Sequence, residues 1–261
     1  MILNLNLKIL VLRSVNVHPR GISYFFCKKT ALLTSGVSGL FITLSFIFVI
    51  IYKYINPPVT LLMIIRHFEA HREDTTLQKE WKDIEKISPT ALLAVIASED
   101  QKFFDHSGFD FEEIDKALDD NNKSKRLRGA STISQQTAKN VFLWPARTWL
   151  RKGLETYFTV LIELLWDKRR ILEIYMNVCE TGKGMYGIEA ASKIYFQKPS
   201  SRLSISEAAL IAAALPNPLT RNPVRPSSFM IKKKNWIIKQ MNNLGGSAFI
   251  KKNLPYVSFT Y

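Results

Sequence analysis

Cysteine is scarce. The 261 residues hold two, Cys27 and Cys179, and an uncharged apolar run separates them. If that run spans a membrane the two lie on opposite sides and cannot pair within the chain, which excludes a disulfide framework. Acidic residues are also in deficit, 22 Asp+Glu against 36 Lys+Arg, a net +14. So basic a chain expects an anionic partner such as nucleic acid, anionic lipid or a phosphorylated substrate, and charge does not choose among them. Alternating strand patterns are few and no repeat recurs, which leaves a mostly α domain with one core. His67 and His71 stand four apart, but His-Phe-Glu-Ala-His is not a zincin pattern and no third ligand is evident. No metal site is indicated.

Charged residues are missing altogether from Ala31 to Tyr52. As a helix this stretch is about 33 Å long, enough to cross a hydrocarbon core of about 30 Å. Lys8, Arg13, Arg20, Lys28 and Lys29 precede it with no acidic residue. The positive-inside rule then puts the N-terminus in the cytoplasm and everything after Lys53 outside. A cleaved signal peptide fits poorly: the run is too long, and Tyr52-Lys53-Tyr54-Ile55-Asn56-Pro57-Pro58 offers no small-x-small cleavage site. Residues 1–30 thus read as a cytoplasmic tail, 31–52 as a transmembrane anchor, 53–87 as a linker and membrane-proximal segment, and 88–261 as the folded domain. Val59–Ile65 is apolar but too short to span. It suits either the core or a membrane surface, and periodicity does not separate the two.

Helix signals follow. Ser88-Pro89 caps and opens a helix over Thr90–Asp100. Thr132 and Gln135 have capping-box spacing at the start of a helix running to about Leu143. Thr148 opens an amphipathic helix to Trp166, and Asp167 caps the next. Ser206–Leu215 is a small-residue buried helix stopped by Pro216. A last helix over about Ser228–Asn243 ends at Gly245-Gly246. Gly182-Lys183-Gly184-Met185-Tyr186-Gly187 spells a dinucleotide fingerprint, but no βαβ unit surrounds it. It reads as a glycine-bearing turn.

Three segments could carry chemistry. Glu99 follows the apolar helical stretch Ala91–Ala97, where burial and an opposing macrodipole would both raise its pKa and make it a stronger base. It could equally be a surface carboxylate opening a loop. The start of the helix at Ser131 and Thr132, entered through Gly129-Ala130, exposes N–H groups suited to phosphate. Lys139 shares a face with Gln135 and Gln136 there, and the loop Lys123–Arg128 adds positive charge. Arg151 and Glu155 form an i,i+4 pair, with Glu163 further along the same face, which alone proves nothing.

Taken together, Glu99–Asp110, Gly129–Asn140, Arg151–Glu163, Arg170–Gly187 and Leu203–Pro218 resemble, in order, the five motifs of the family 51 glycosyltransferases. The likeness is to the monofunctional biosynthetic peptidoglycan transglycosylases and covers about Pro57 to Gly246. It departs from the family pattern at Thr181 and Lys183. The resemblance implies a lysozyme-like helical fold preceded by one N-terminal transmembrane helix. It also implies inverting polymerisation of lipid II, with release of polyprenyl diphosphate, on the outer face of the cytoplasmic membrane. Glu99 would be the general base and Glu155 the second catalytic carboxylate. Asp100, His106, Ser131, Thr132, Gln135, Gln136, Lys139, Asn140, Arg151 and Lys152 would bind substrate. No cofactor is implied as required, although a divalent cation could assist, and cell-wall synthesis proteins are conceivable partners. Nucleic acid is not a partner the topology allows. No Ser-x-x-Lys occurs, so transpeptidation is not expected. A lytic enzyme of the same fold and a non-catalytic lipid II-binding scaffold are the competing functions.

Overall fold

The computed structural model describes residues 19–70, 76–123 and 129–255. His71, the basic loop following Lys123, and the cationic side chains ahead of the span lie outside the described side chains. The chain divides into two compact units at Phe48 and Val49. Helix α1 covers Pro19–Tyr54, longer at both ends than the expected span. Its segment Ser35–Tyr54 is, among the described residues, the one stretch long and apolar enough to cross a membrane. Val37, Leu40 and Ile42 stay exposed on it, as a helix surrounded by lipid requires.

The second unit is helical. Helix α2, Leu61–Ala70, divides the ambiguous apolar run between two faces. Leu62 and Met63 are buried, whereas Leu61, Ile64 and Phe68 are exposed. Helix α3, Pro89–Glu99, has Ser88 as its cap and Pro89 in its first turn, and Ala91 through Ala97 are all buried. It packs on α9, Ile205–Ala214, and α10, Ser228–Asn243. Both α3 and α9 are apolar nearly all round and alanine-rich, so they can sit in the centre of the domain. Helix α4 is Phe111–Lys123. Helix α5, Ile133–Phe142, packs on α6, Trp149–Leu165, and on α7, Lys168–Val178. The expected caps are made by Thr132 with Gln135, by Thr148 and by Asp167. Gly245 and Gly246, at φ +100° and +61°, end α10. A further short helix, α11 at Ser247–Asn253, follows.

The dinucleotide-like glycines lie where a turn needs them. Strands β2, Glu180–Gly182, and β3, Met185–Tyr186, form a hairpin. Strand β1, Gln78–Lys79, adds to β3 in parallel. Gly184 turns the hairpin at φ +67°. Gly187, at φ +81°, opens α8, Ile188–Phe196, and a Cβ there would lie 2.8 Å from the Asn177 carbonyl oxygen. Positive φ and close backbone approach both demand glycine.

Helix α7 holds the second unit's share of α1. The Arg170 guanidinium donates to the Tyr52 carbonyl from Nε and Nη2 (3.1 and 2.9 Å), to the Ile55 carbonyl (3.1 Å) and to Asn56 Oδ1 (2.8 Å). It also pairs with Glu173 at 2.6 Å. A helix leaves its last carbonyls unpaired, and a cation there also suits the macrodipole. Trp166 Nε1 adds a bond to the Val49 carbonyl at 2.8 Å. Arg170→Met would strand Glu173 and these carbonyls, at a cost of about 3–5 kcal/mol. Thermal unfolding of the detergent-solubilised variant is expected roughly 10 °C lower. An unchanged midpoint would mean that the clamp contributes little.

Candidate active site

Glu99 is the last residue of α3 and is half-buried in the wall of a cavity of about 760 Å³. Its carboxylate accepts from Gln136 Nε2 at 3.0 Å and from Ser98 Oγ at 3.1 Å. Gln136 is fixed in turn, because its Oε1 accepts the Tyr175 hydroxyl at 3.1 Å. Burial pushes the Tyr175 phenol well up, aided by the negative charge of Glu99, so it stays protonated and donates. The amide NH₂ therefore points at Glu99. Burial raises the Glu99 pKa; the bonds from Gln136 and Ser98 and the charges of Lys233 and Lys139 pull it back. The outcome is a basic carboxylate open to a cavity, as a general base requires.

On the other side of Gln136 lies a second cavity, of about 390 Å³. Four cations line it, Arg66, Lys139, Arg147 and Arg151, against one carboxylate, Glu180. Gln136, Asn140, Tyr175 and Asn217 add neutral polar groups to its wall. Burial lowers the Lys139 pKa and Glu155 raises it most among the surrounding charges, with Glu99 also contributing. Glu99 and Lys139 are thus electrostatically coupled across Gln136, which touches the Glu99 carboxylate and lines the cationic cavity.

The expected site residues separate into those at the cavities and those behind them. Glu99, Gln136, Lys139, Asn140 and Arg151 face a cavity, and exposed Ser131 lines the larger one together with the buried Asp100 and Thr132. Asp100 and His106 form a latch. Gly108 N–H donates to His106 Nδ1 at 3.1 Å, so Nε2 carries the proton it shares with Asp100 at 3.0 Å. The same carboxylate accepts the Ile133 N–H at 2.9 Å. Of the helix-start N–H groups expected to seat a phosphate, that of Ile133 is therefore taken by a carboxylate of this chain. Thr132 and Gln135 spend their side chains on the capping box, with the Gln135 N–H bound to Thr132 Oγ1 at 3.2 Å and the Thr132 N–H bound to Gln135 Oε1 at 3.0 Å. The cationic cavity lies further along α5.

Glu155 lies behind the cavities, as His106, Gln135 and Lys152 do, and lines neither. Its side chain is 4% exposed, with one oxygen on Arg151 and the other on Lys152. That arrangement ties Glu155 to Arg151 and Lys152 instead of presenting its carboxylate to a cavity. Glu155→Gln should lower the Lys139 pKa further, because the charge that opposes desolvation is lost. The alkaline limb of the pH–rate profile is then expected at lower pH, and an unmoved limb would deny the coupling.

The sequence alone gives no role to Arg66, Arg147 or Lys233, and Tyr175 falls within the Arg170–Gly187 motif without a role of its own. Arg66 directly follows the apolar run and Arg147 closely follows Pro145, so lone cations beside a motif were the available signal for both. Lys233 sits in a run of three lysines and gives no such signal. Among the described residues no group of three His, Cys, Asp or Glu side chains could hold a metal ion.

A helical domain with a half-buried carboxylate beside a cation-lined cavity fits a transferase, and comparison with known proteins narrows the class. The Transglycosylase family model matches residues 66–242. Biosynthetic peptidoglycan transglycosylases of Yersinia pseudotuberculosis serotype O:1b (strain IP 31758), Y. pseudotuberculosis serotype O:3 (strain YPIII) and Yersinia pestis (strain Pestoides F) are each 48% identical over 222 residues. In each case the match spans 84% of this chain and 92% of the relative. The chain belongs to the transglycosylase family, with the biosynthetic peptidoglycan transglycosylases as its relatives.

Proposed function

We propose that this protein polymerises lipid II into peptidoglycan glycan strands, releasing polyprenyl diphosphate, without transpeptidase activity. The observation that carries this reading is the junction at Gln136, with the Glu99 base on one side and four cations on the other. The acceptor sugar occupies the larger cavity and gives the proton of its 4-hydroxyl to Glu99. The oxygen attacks the anomeric carbon of the growing strand as the bond to the diphosphate breaks, with inversion at that carbon. Negative charge grows on the departing diphosphate in the smaller cavity, where Lys139, Arg147, Arg151 and Arg66 are already fixed. The side chains supply both the base and the cations, so the reading calls for no resident cofactor, while a divalent cation could bind with the diphosphate.

The span at Ser35–Tyr54 supports a single-pass anchor in the cytoplasmic membrane. Basic residues before it favour a cytoplasmic N-terminus and an external catalytic domain. There the domain meets lipid II, the growing strand and other cell-wall synthesis proteins. The test is incubation of the full chain with lipid II and, separately, with purified sacculi. Polymer from the first supports the proposal. Soluble muropeptides from the second alone would make the protein a lytic enzyme, and no product from either would leave a lipid-binding scaffold.

A further inference from the structure

Lys233 on α10 shares the larger cavity with Glu99, and nothing in the sequence pattern or the family comparison gives it a part. Its Nζ stands 3.7 Å from the centroid of the Trp236 ring, one turn along the same helix, and Trp236 lines the cavity as well. An ammonium over an aromatic face is held by the ring quadrupole without being neutralised. Among the described residues, this lysine makes no ion pair with a carboxylate. The helix that carries it packs directly on α3, whose last residue is Glu99.

We propose that Lys233 is a positioning residue for the base: seated on Trp236, its unneutralised charge keeps the Glu99 carboxylate ionised from the acceptor side. This rests on the assignment of Glu99 as base. The two cations then flank Glu99 from different helices, Lys139 on α5 through the smaller cavity and Lys233 on α10 through the larger. Both pull the Glu99 pKa down, Lys233 the more strongly. The same cavity is also lined by Lys102 and Lys116 and by the carboxylates of Asp105, Asp110 and Glu113, with Lys102 paired to Glu112 and Lys116 to Glu113.

The other groups around Glu99 do not substitute. Tyr175 and Cys179, on α7, are both buried and held protonated, the Cys179 thiol pushed up to about 12. Asp100, beside Glu99 on the chain, is bound to His106 and to the Ile133 N–H. Helix α9 contributes a backbone group, the Ala212 carbonyl, which the Ser98 hydroxyl reaches at 3.4 Å. On α11, Lys251 and Lys252 are exposed to solvent. Arg221 acts on Lys233 itself, and together with burial lowers its pKa while Glu99 raises it.

The sign follows from the carboxylate. A nearby cation favours the ionised form, and the base works only when ionised. Removing Lys233 must therefore move the acid limb of kcat/KM to higher pH. The experiment compares the pH profiles of wild type, Lys233→Met, Lys233→Arg and Glu99→Gln in the full detergent-solubilised chain with lipid II, and records thermal midpoints. Lys233→Met is expected to lose roughly threefold or more in kcat/KM at the acid edge, half a pH unit or more of displacement, and progressively less toward neutral pH. Lys233→Arg should restore the wild-type limb. A uniform loss at every pH with the limb unmoved overturns the proposal, as does failure of arginine to restore it. If Glu99→Gln turns over like wild type, the base assignment falls and takes this proposal with it. If Glu99→Gln is inactive while the Lys233→Met limb stays put, the proposal alone fails.

Discussion

Glu99→Gln is expected to lower lipid II polymerisation by about 10²–10⁴-fold, the usual contribution of a positioned general base, with the fold retained. Glutamine nearly matches glutamate in shape, so the cavity and the Gln136 contact survive while the proton acceptor is lost. Stability should move in the opposite direction. Burial raises the Glu99 pKa in the folded chain, so the folded state binds its proton more tightly than the unfolded state does. The ionised group therefore imposes a penalty that is absent in acid and grows as pH rises through the unfolded value. At neutral pH the amide removes that penalty, and the thermal midpoint should hold or rise, as at other sites where function is kept at the expense of stability. Polymer yield on defined lipid II and a melting curve on the same preparation suffice. Wild-type turnover by this variant would remove Glu99 as base. Lost turnover with a collapsed midpoint would mean that the carboxylate holds the fold together.

Local chemistry made most of the helices legible. Serine, threonine and aspartate caps announced α3, α5, α6 and α7, and Gly245-Gly246 announced the end of α10, because capping is settled within a few residues. The hairpin and its third strand were not legible. Their strands are two or three residues long, too short for a period, and β1 pairs with β3 across about a hundred positions. The site shows the same division. Glu99 and Lys139 could be read because each lies at a marked place on a helix. The use of Asp100 could not. A free carboxylate beside a possible base looks like substrate chemistry until the fold brings Ile133 and His106 to it. At the helix start that reads as ready for phosphate, the Ile133 N–H goes to that carboxylate. The cations that line the smaller cavity come from α2, α5, α6 and the Trp144–Arg147 loop, a convergence that tertiary packing alone creates.

Lys139→Met should cost about 10²–10³-fold in kcat, comparable to removing one preorganised donor from a site of charge development, and should raise KM much less. The difference follows from what remains. Arg66, Arg147 and Arg151 still line the smaller cavity, so the diphosphate of the bound strand keeps most of its ground-state attraction. Lys139 differs from them in position, being the cation coupled both to the base and to the buried Glu155. Its charge acts where the departing oxygen becomes more negative as the glycosidic bond forms, and an interaction that strengthens during reaction appears in kcat. Lys139→Arg restores the charge but brings a planar, wider head into a cavity of about 390 Å³, so it should recover only part of the rate. Steady-state kinetics on lipid II across the three proteins would decide. A raised KM with kcat intact would reduce Lys139 to a ground-state binding group and shift the burden of leaving-group stabilisation to the three arginines.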